Sequence, residues 1–327
     1  MKKWLPSLIL PLLGSSLYAG HGVDNNWSFL AEFVYMRRSE LSNKVLAKDP
    51  NDPTCHNGCT TLSVLNSEKL VQDFDFEPGV RVGLSFIQDV KSTYEATFMY
   101  VWEWESSKSF SDPDGDIFYP FHNPNYTVDY ADASEVNASY RSHYYTFELN
   151  YWRNVCRRKK DYFSVSGIFG LRYVNLDESC RLVYFSGSDK SNYNTWTKND
   201  IIGVQLGGNF EMNPLPHFSM DLTAKAGLGY NRAANRVLLQ DQNNTVILRK
   251  YGEEHWQDVV FADAAGALGY QVRPNFNVHA GYEVFFVSGV ALAPEQYTNS
   301  SALHDRHFNR RGFVIIHGLF VGFNYDF

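Results

Sequence analysis

Histidines near acidic residues are the side chains of this chain with the clearest catalytic potential. His255, His304 and His307 lie close in sequence to Asp258 and Asp305, and a histidine oriented by a carboxylate can act as a general base in hydrolysis. No nucleophile elbow, zinc-binding spacing or glycine-rich phosphate loop accompanies them. We therefore expect these histidines and acids to be solvated polar residues, and we predict no catalytic residues and no enzyme. A hydrolase with its site at the rim of the protein is the least favoured functional alternative.

The segment Asp112–Asp116, with the sequence Asp-Pro-Asp-Gly-Asp, offers the oxygen ligands that calcium prefers. It lacks the glycine at position six and the closing acid at position twelve of a calcium-binding loop. Proline and glycine stand where a tight turn favours them. We expect a turn, and the sequence predicts neither a metal nor a cofactor.

Four cysteines could form disulfides if the chain is exported to an oxidising compartment. Cys55 and Cys59 flank His-Asn-Gly, a turn that can bring the two thiols together, and we predict a bond between them. Zinc is a weaker alternative there, because only two thiols and one histidine are at hand. Cys156 and Cys180 lie at opposite ends of one predicted strand, whose rise of about 3.3 Å per residue prevents their pairing. Either could crosslink to a neighbouring protein.

Eight charged residues occupy strand positions whose neighbours are apolar, which predicts that they point into the interior of a barrel. A basic side chain facing lipid near the bilayer centre would cost about 2–4 kcal/mol. The set could line a water-filled pore with a mild preference for cations, or its members could pair and fill the interior. A narrow barrel has little internal space, which favours the constricted interior. These candidate lumen-lining residues are Glu32, Arg81, Glu95, Glu148, Arg172, Lys225, Asp263 and Glu283.

The elements that must position these residues are predicted by an apolar residue at every second position, the period of a β-strand. In one segment Tyr94, Phe98, Trp102 and Trp104 share a face. Such segments reach 11 to 13 residues, whereas a bilayer is crossed by a tilted strand of about 9–11. We predict ten strands, at residues 27–36, 76–87, 92–104, 140–152, 162–176, 199–212, 217–230, 256–270, 276–287 and 313–327.

Connections between these strands alternate between short turns and long polar segments. The short turns are 88–91, 153–161, 213–217 and 272–275, and the long segments are 37–73, 105–138, 179–197, 231–254 and 288–312. This is the layout of an all-β transmembrane antiparallel up-and-down β-barrel with periplasmic turns and long outer loops. The barrel must close, because an unpaired sheet edge in lipid is costly. Residues 60–72 could add a hairpin, so twelve strands is the alternative, and a soluble β-sandwich would require a polar outer face.

The beginning of the chain predicts export. Lys2 and Lys3 precede the apolar stretch Leu5–Leu13, and Leu17-Tyr18-Ala19 provides a cleavage site, so residues 1–19 are expected to be a signal peptide. Residues 20–327 then form a single barrel domain. The formal charge of −7 and the aromatic content of 16% argue against a nucleic-acid partner and against disorder.

The end of the chain predicts a location. Phe313, Ile315, Leu319 and Val321 continue on one face into Phe323, Tyr325 and the terminal Phe327. A closing amphipathic strand that ends in phenylalanine resembles the signal read by the outer-membrane assembly machinery. We expect the bacterial outer membrane as location, with membrane lipid and that machinery as partners.

Several stretches, taken in order, resemble a family of outer-membrane β-barrels found in planctomycetes and chlamydia-related bacteria. They are Phe76–Phe86, Phe147–Asn150, Gly170–Glu178, Asn199–Gly207, Lys225–Gly229, Gly269–Tyr270, Gly281–Tyr282 and His317–Gly322. The first is also similar to the pore-forming major outer-membrane proteins of the legionella type. The resemblance implies a porin-like passive channel for ions or small solutes, or a structural envelope protein, and no catalytic residues. The alternative is a surface adhesin that acts through its long outer loops.

Overall fold

The architecture is a closed barrel of ten antiparallel strands, seen in a computed structural model that describes residues 27–39, 43–49, 62–89, 91–121, 128–157, 162–300 and 306–327. Each barrel strand pairs with its sequence neighbour, and the last pairs with the first. The barrel strands are β1 (Trp27–Ser39), β4 (Glu77–Asp89), β5 (Ser92–Ser111), β6 (Glu135–Arg157), β7 (Phe163–Ser186), β8 (Asp189–Leu215), β9 (Phe218–Gln240), β10 (Ile247–Arg273), β11 (Phe276–Val290) and β12 (Gly312–Asp326). The predicted fold class is confirmed.

A small hairpin stands apart from the barrel wall. Strands β2 (Val45–Asp49) and β3 (Leu62–Asn66) pair with each other, β2 also bridges to Phe118 through Lys48, and the short helix α1 (Ser67–Gln72) follows. Short 3-10 turns occupy Val128–Tyr130, Gln242–Asn244 and Ala293–Gln296. The described part of residues 60–72 is thus one strand and a helix, not the hairpin suspected there, and the barrel has ten strands. Within the described residues, no helix is long and apolar enough to cross a membrane.

The strands extend much further at their outer ends than the sequence predicts. β7 and β8 meet at a tight turn around Gly187, whose φ of 61° lies in the left-handed region that glycine favours. The predicted long connections 179–197 and 231–254 are therefore wrong. In this part of the barrel the buried face still alternates, as Leu182 and Tyr184 illustrate. The outward face becomes polar there, so the pattern resembles a loop.

The outer wall carries a broad band of exposed apolar side chains, including Phe33, Leu171, Leu206, Leu228 and Val321. Beyond the band, toward the end of the barrel opposite the short turns, the outward positions carry ion pairs such as Arg141–Glu105 (2.7 Å) and Arg232–Glu254 (2.5 Å). An apolar exterior around a polar interior inverts the pattern of a soluble sheet protein and matches a barrel whose wall faces lipid.

In β5, the alternation of inward and outward side chains differs from the prediction. The pairing of β5 with β6 shifts register between Val101 and Trp104. Trp102 is therefore 45% exposed on the outer wall, whereas Trp104 is completely buried and donates its indole N–H to the carbonyl oxygen of Met36 at 3.0 Å. A bulge of this kind reverses the faces that follow it, so the expectation that both tryptophans share a face is wrong.

Strands β1 and β12 close the barrel. The backbone N–H of Trp27 donates to Phe327 at 3.4 Å, and that of Phe327 donates back to Trp27 at 3.2 Å. The outward residues of β12 are those predicted from the alternation, among them Leu319 and Val321. Phe327 is therefore part of the seam.

Replacing Phe327 with Asp should slow assembly of the barrel, because a charge then stands at the seam where an aromatic side chain completes the apolar face. We expect less heat-modifiable, folded barrel in membranes after pulse expression than for the wild type. Asp326→Asn, a change one residue earlier, is the control and should assemble normally. Equal amounts of folded Phe327→Asp and wild-type barrel would contradict the prediction.

Candidate functional site in the barrel lumen

The eight charged residues singled out from the sequence come from eight different strands and lie inside the barrel. Glu32, Glu148, Arg172, Asp263 and Glu283 are each at most 8% exposed. Seven of the eight line one cavity of about 220 Å³, and Arg172 adjoins it through bonds to two of the lining acids.

Arg81 is the centre of the first group of contacts. Its guanidinium donates to Glu32 at 2.7 Å and also to Glu283, and it lies 5.6 Å from the centroid of the Phe320 ring. Glu32 is further bonded to His279 Nε2 at 2.8 Å. One base is thus held between two acids from β1 and β11.

Arg172 is the centre of the second group. It forms ion pairs with both Glu148 and Asp263. Lys225 contacts the same two acids, with Nζ 2.7 Å from Glu148 and 3.4 Å from Asp263. Gln205 adds an amide donor to Glu148 at 2.8 Å. Opposite charges buried together compensate one another only when they are paired and hydrogen-bonded in this way.

These two groups form a layer of ion pairs across the lumen, which we call the ion-pair belt. It contains Glu32, Arg81, Glu148, Arg172, Lys225, Asp263 and Glu283. Of the two arrangements considered from the sequence, the side chains adopt the paired one. The eighth residue, Glu95, stands apart and accepts from Asn150 at 3.1 Å and from the Trp152 indole at 3.2 Å.

Two glycines make room for the aromatic surface beneath Arg172. Cβ atoms at Gly203 and Gly227 would overlap the ring of Phe261, and each would also meet a backbone carbonyl. The Arg172 guanidinium lies 5.7 Å from the centroid of that ring and 5.0 Å from that of Phe285. The mid-strand glycines therefore admit a large inward neighbour, which in turn contacts the belt.

Replacing Gly227 with Ala should lower the free energy of unfolding by about 1–3 kcal/mol, the usual range for overpacking a core. Gly167→Ala is the matched control, because a Cβ at residue 167 finds its nearest neighbour at 3.9 Å, an ordinary contact. Urea unfolding in detergent, followed by tryptophan fluorescence, measures both variants. A Gly227→Ala barrel as stable as Gly167→Ala would contradict this account of the Phe261 site.

The outer end of the lumen is filled by segments that fold inward. We call residues 117–121, 128–134 and 291–300 the outer plug. Tyr193 on β8 is completely buried against it, with ring centroids 4.7 Å from Tyr297 and 5.4 Å from Tyr119. Tyr130 and Tyr184 complete the cluster. Burial raises the pKa of Tyr119 and Tyr297 well above the usual range for tyrosine, so these phenols stay neutral.

Inward-facing amides and hydroxyls hold the plug to the wall. Asn199 donates to the carbonyl of Ala291 at 2.9 Å and accepts from its N–H at 2.8 Å. Thr195 donates to the carbonyl of Ala293 at 2.8 Å, and Asn231 donates to the side-chain oxygen of Asn199 at 2.9 Å. The backbone of the plug thus finds partners although it lies inside the barrel.

A further buried ion pair, separate from the belt, lies between the plug and the belt. Arg38 is fully buried, pairs with Glu178 and donates to the hydroxyl of Tyr140 at 2.8 Å. Tyr140 in turn donates to Glu178 at 2.9 Å, and Glu178 also accepts the N–H of Ala293 at 2.9 Å. The sequence does not predict this group, because Arg38 and Glu178 fall in or beside the predicted polar connections 37–73 and 179–197.

The histidines considered for hydrolysis do not form a site in the described part of the chain. His255 and Asp258 are three residues apart on β10, so their side chains leave opposite faces of the strand. His255 Nε2 lies 3.6 Å from Glu253. His307 exchanges backbone hydrogen bonds with the Tyr251 hydroxyl at 2.9 and 3.1 Å. His304 and Asp305 lie outside the described residues.

Cysteine positions change one expectation. Cys180 is completely buried on the inward face of β7, so its predicted place in an outer loop is wrong and its thiol cannot reach a neighbouring protein while the barrel is folded. Cys156 lies near the other end of β6, in register with Val165, and thus far along the wall from Cys180. Cys55 and Cys59, the predicted disulfide, lie outside the described residues.

The Asp112–Asp116 segment forms the predicted turn. The Asp112 carboxylate accepts the backbone N–H groups of Asp116 at 3.2 Å and Asp114 at 3.3 Å. The bond from Asp116, with others nearby, lowers the pKa of Asp112. Asp49 from β2 brings a third carboxylate within 4.8 Å of those of Asp112 and Asp116, a contact that the sequence does not predict.

Comparison with known proteins identifies the fold. The outer membrane protease OmpT from Escherichia coli is similar over 95% of this chain and 100% of its own, with a TM-score of 0.53 and 10% identity. The translocator domain of the autotransporter NalP from Neisseria meningitidis matches 92% of this chain and 89% of its own, at a TM-score of 0.37 and 10% identity. No protein-family model and no curated protein matches the sequence. The chain thus has the fold of an outer-membrane β-barrel.

Proposed function

We propose that this chain is a structural protein of the bacterial outer membrane whose lumen is closed to solutes and whose outer end serves as a surface for interaction. One observation carries the proposal: the interior is occupied at two levels, by the ion-pair belt and by the outer plug. A passive channel needs a continuous aqueous path, and the paired side chains and inward-folded segments oppose one.

The location in the outer membrane is supported by the exterior of the barrel. Exposed side chains such as Leu84, Leu206 and Leu268 would be costly to hydrate and are suited to lipid. Export through a signal peptide cleaved near Ala19, and insertion by the assembly machinery, remain predictions that follow from this location.

The surface role is supported by how far the wall continues beyond the apolar band. β7 and β8 run to a turn at residues 187–188, well past the outward pair Lys198–Asp200. The described plug segments occupy the lumen at this end, so a partner outside the cell would meet protein surface instead of an open pore mouth. No residue at this rim is assigned a catalytic role.

Planar-bilayer recording of the refolded barrel tests the closed lumen. We expect no discrete conductance steps from protein that migrates as a folded, heat-modifiable barrel. A variant without residues 293–298 that carries Arg172→Ala, Glu148→Ala and Asp263→Ala, and so lacks parts of both obstructions, should conduct in the same assay and thereby verify the recording. Reproducible steps from the wild type would overturn the proposal in favour of the passive channel.

A further inference from the structure

Between the ion-pair belt and the short-turn end of the barrel, the lumen carries more acidic than basic side chains. The cavity of about 220 Å³ is lined by seven acidic residues and by only two basic ones, Arg81 and Lys225. With the adjoining Arg172, three bases face four acids within the belt. Within the described residues, Glu95, Glu211 and Asp221 form no ion pair, although all three line the cavity.

Two of these acids face each other directly. Glu211 on β8 and Asp221 on β9 are register partners on the inward face, and like charges directly opposite one another in a sheet are destabilising. Glu211 accepts from Ser164 and Asn213 at 3.1 Å each, but neither donor carries a charge. A cation bound between the carboxylates would remove this repulsion.

Neutral polar groups of the same cavity also lack partners. Asn277 is 8% exposed, and its Oδ1 atom has no hydrogen-bond partner. The Oδ1 atom of Asn324, the register partner of Asn277, is also buried without a hydrogen-bond partner. The His279 side chain is 9% exposed, with Nε2 bonded to Glu32 and Nδ1 without a partner. Buried polar atoms are almost always hydrogen-bonded in folded proteins. The two amide oxygens find no donor among the described residues, and the N–H groups of a cationic ligand can supply one.

The arrangement favours an extended organic cation over a metal ion. Among the described residues, the only group of three or more acidic, histidine or cysteine ligand atoms within 4.8 Å of one another is the outer Asp49, Asp112 and Asp116. The cavity acids are therefore too dispersed for a single ion. Several separated N–H donors along one chain could reach them. The volume lies below the roughly 300–1,000 Å³ of pockets for drug-sized ligands.

We propose that the short-turn end of the lumen is a binding site for a small linear polyamine. Its ammonium groups would contact Glu211 and Asp221, and further N–H donors would reach Glu95 and the Asn277 and Asn324 carbonyls. Asn277 and Asn324 lie close to the end of the barrel that carries the turn between β10 and β11. The ligand enters from that end, because the belt and the outer plug obstruct the other.

Isothermal titration of the refolded wild-type barrel with spermidine, at an ionic strength of about 0.1 M, tests the site. We expect saturable binding of one spermidine per barrel and a higher melting temperature in its presence. The variant Glu211→Gln/Asp221→Asn should bind about tenfold or more weakly, because charge-assisted hydrogen bonds are lost. The control Glu103→Gln/Glu105→Gln makes the same change in charge on the outer wall and should bind as the wild type does.

Asn277→Ala provides a second test that changes no charge, and it serves if the double variant does not fold. It should weaken spermidine binding without altering the response to salt. Absence of saturable binding to the wild type would overturn the proposal. Equal weakening by the lumen and outer-wall double variants would also overturn it, since binding would then reflect total charge. Displacement of spermidine by magnesium at equal charge concentration would identify a site for simple counterions and so contradict a polyamine site.

Discussion

Replacing Arg172 with Met should lower the free energy of unfolding of the barrel by about 3–5 kcal/mol, the cost of leaving buried charges without their partner. Arg172 is 2% exposed and pairs with both Glu148 and Asp263. Lys225 would remain as a single base beside two acids. Urea unfolding in detergent, followed by the loss of heat-modifiable migration, measures the change.

Two comparisons isolate the charge effect of Arg172→Met. Arg141→Met removes an exposed pair with Glu105 and should cost no more than about 1 kcal/mol. Adding Asp263→Asn to Arg172→Met leaves Glu148 as the one acid, paired with Lys225 at 2.7 Å, and should recover most of the loss. If this double variant is no more stable than Arg172→Met, the packing of the guanidinium on Phe261 and Phe285 is the dominant contribution, and the electrostatic account is wrong.

Replacing Tyr193 with Ala should release the outer plug while the membrane-embedded wall stays folded. The side chain is completely buried, and truncating an aromatic core residue costs about 3–5 kcal/mol. Its hydroxyl also accepts the backbone N–H of Thr298 at 3.2 Å. The lost stability affects mainly the outer plug, which the wall holds through a few side chains. The plug should therefore open locally before the whole barrel unfolds.

Hydrogen exchange measures this local opening of the plug. The N–H groups of Ile117 and Tyr119, bonded to Ala133 and Tyr130, should exchange faster in Tyr193→Ala by about two to three orders of magnitude, if most of that cost falls on plug opening. Amides of β4 in the apolar band should not change. Tyr162→Ala, at an exposed position, is the control and should leave both sets protected. Faster exchange throughout the wall would show instead that plug and barrel unfold as one unit.

The barrel and its inward charges could be predicted because lipid imposes a simple rule on every strand that crosses it. Apolar residues must face outward, so the parity of Leu206 or Leu228 also fixes the direction of their neighbours. A charged side chain such as that of Arg172 or Asp263 then points into the lumen, because placing it in lipid would cost free energy. The inward direction of the eight residues therefore follows from strand parity alone, without knowledge of the contacts between them.

The outer plug could not be predicted in this way, because its position depends on contacts between segments far apart in sequence. Tyr119, Tyr193 and Tyr297 meet only once the barrel has closed. A signal was nevertheless present, since Thr195, Asn199 and Asn231 occupy odd-numbered positions that lead to the inward face. Trp104 shows a different limit: a single bulge reversed the faces after Val101, and periodicity cannot locate a bulge.

The seam between β1 and β12 has a consequence for how the chain can be cut and rejoined. Ser28 pairs with Asp326, so the two ends of the described barrel are neighbours in space, whereas the other wall pairings link consecutive strands. This one pairing of very high contact order bears most of the loop-closure entropy, so the hairpins should form before the ring completes. A circular permutant, with the ends joined by a short linker and the chain opened at the turn between Leu215 and Phe218, keeps the ladder intact and moves the slow closure to β8 and β9.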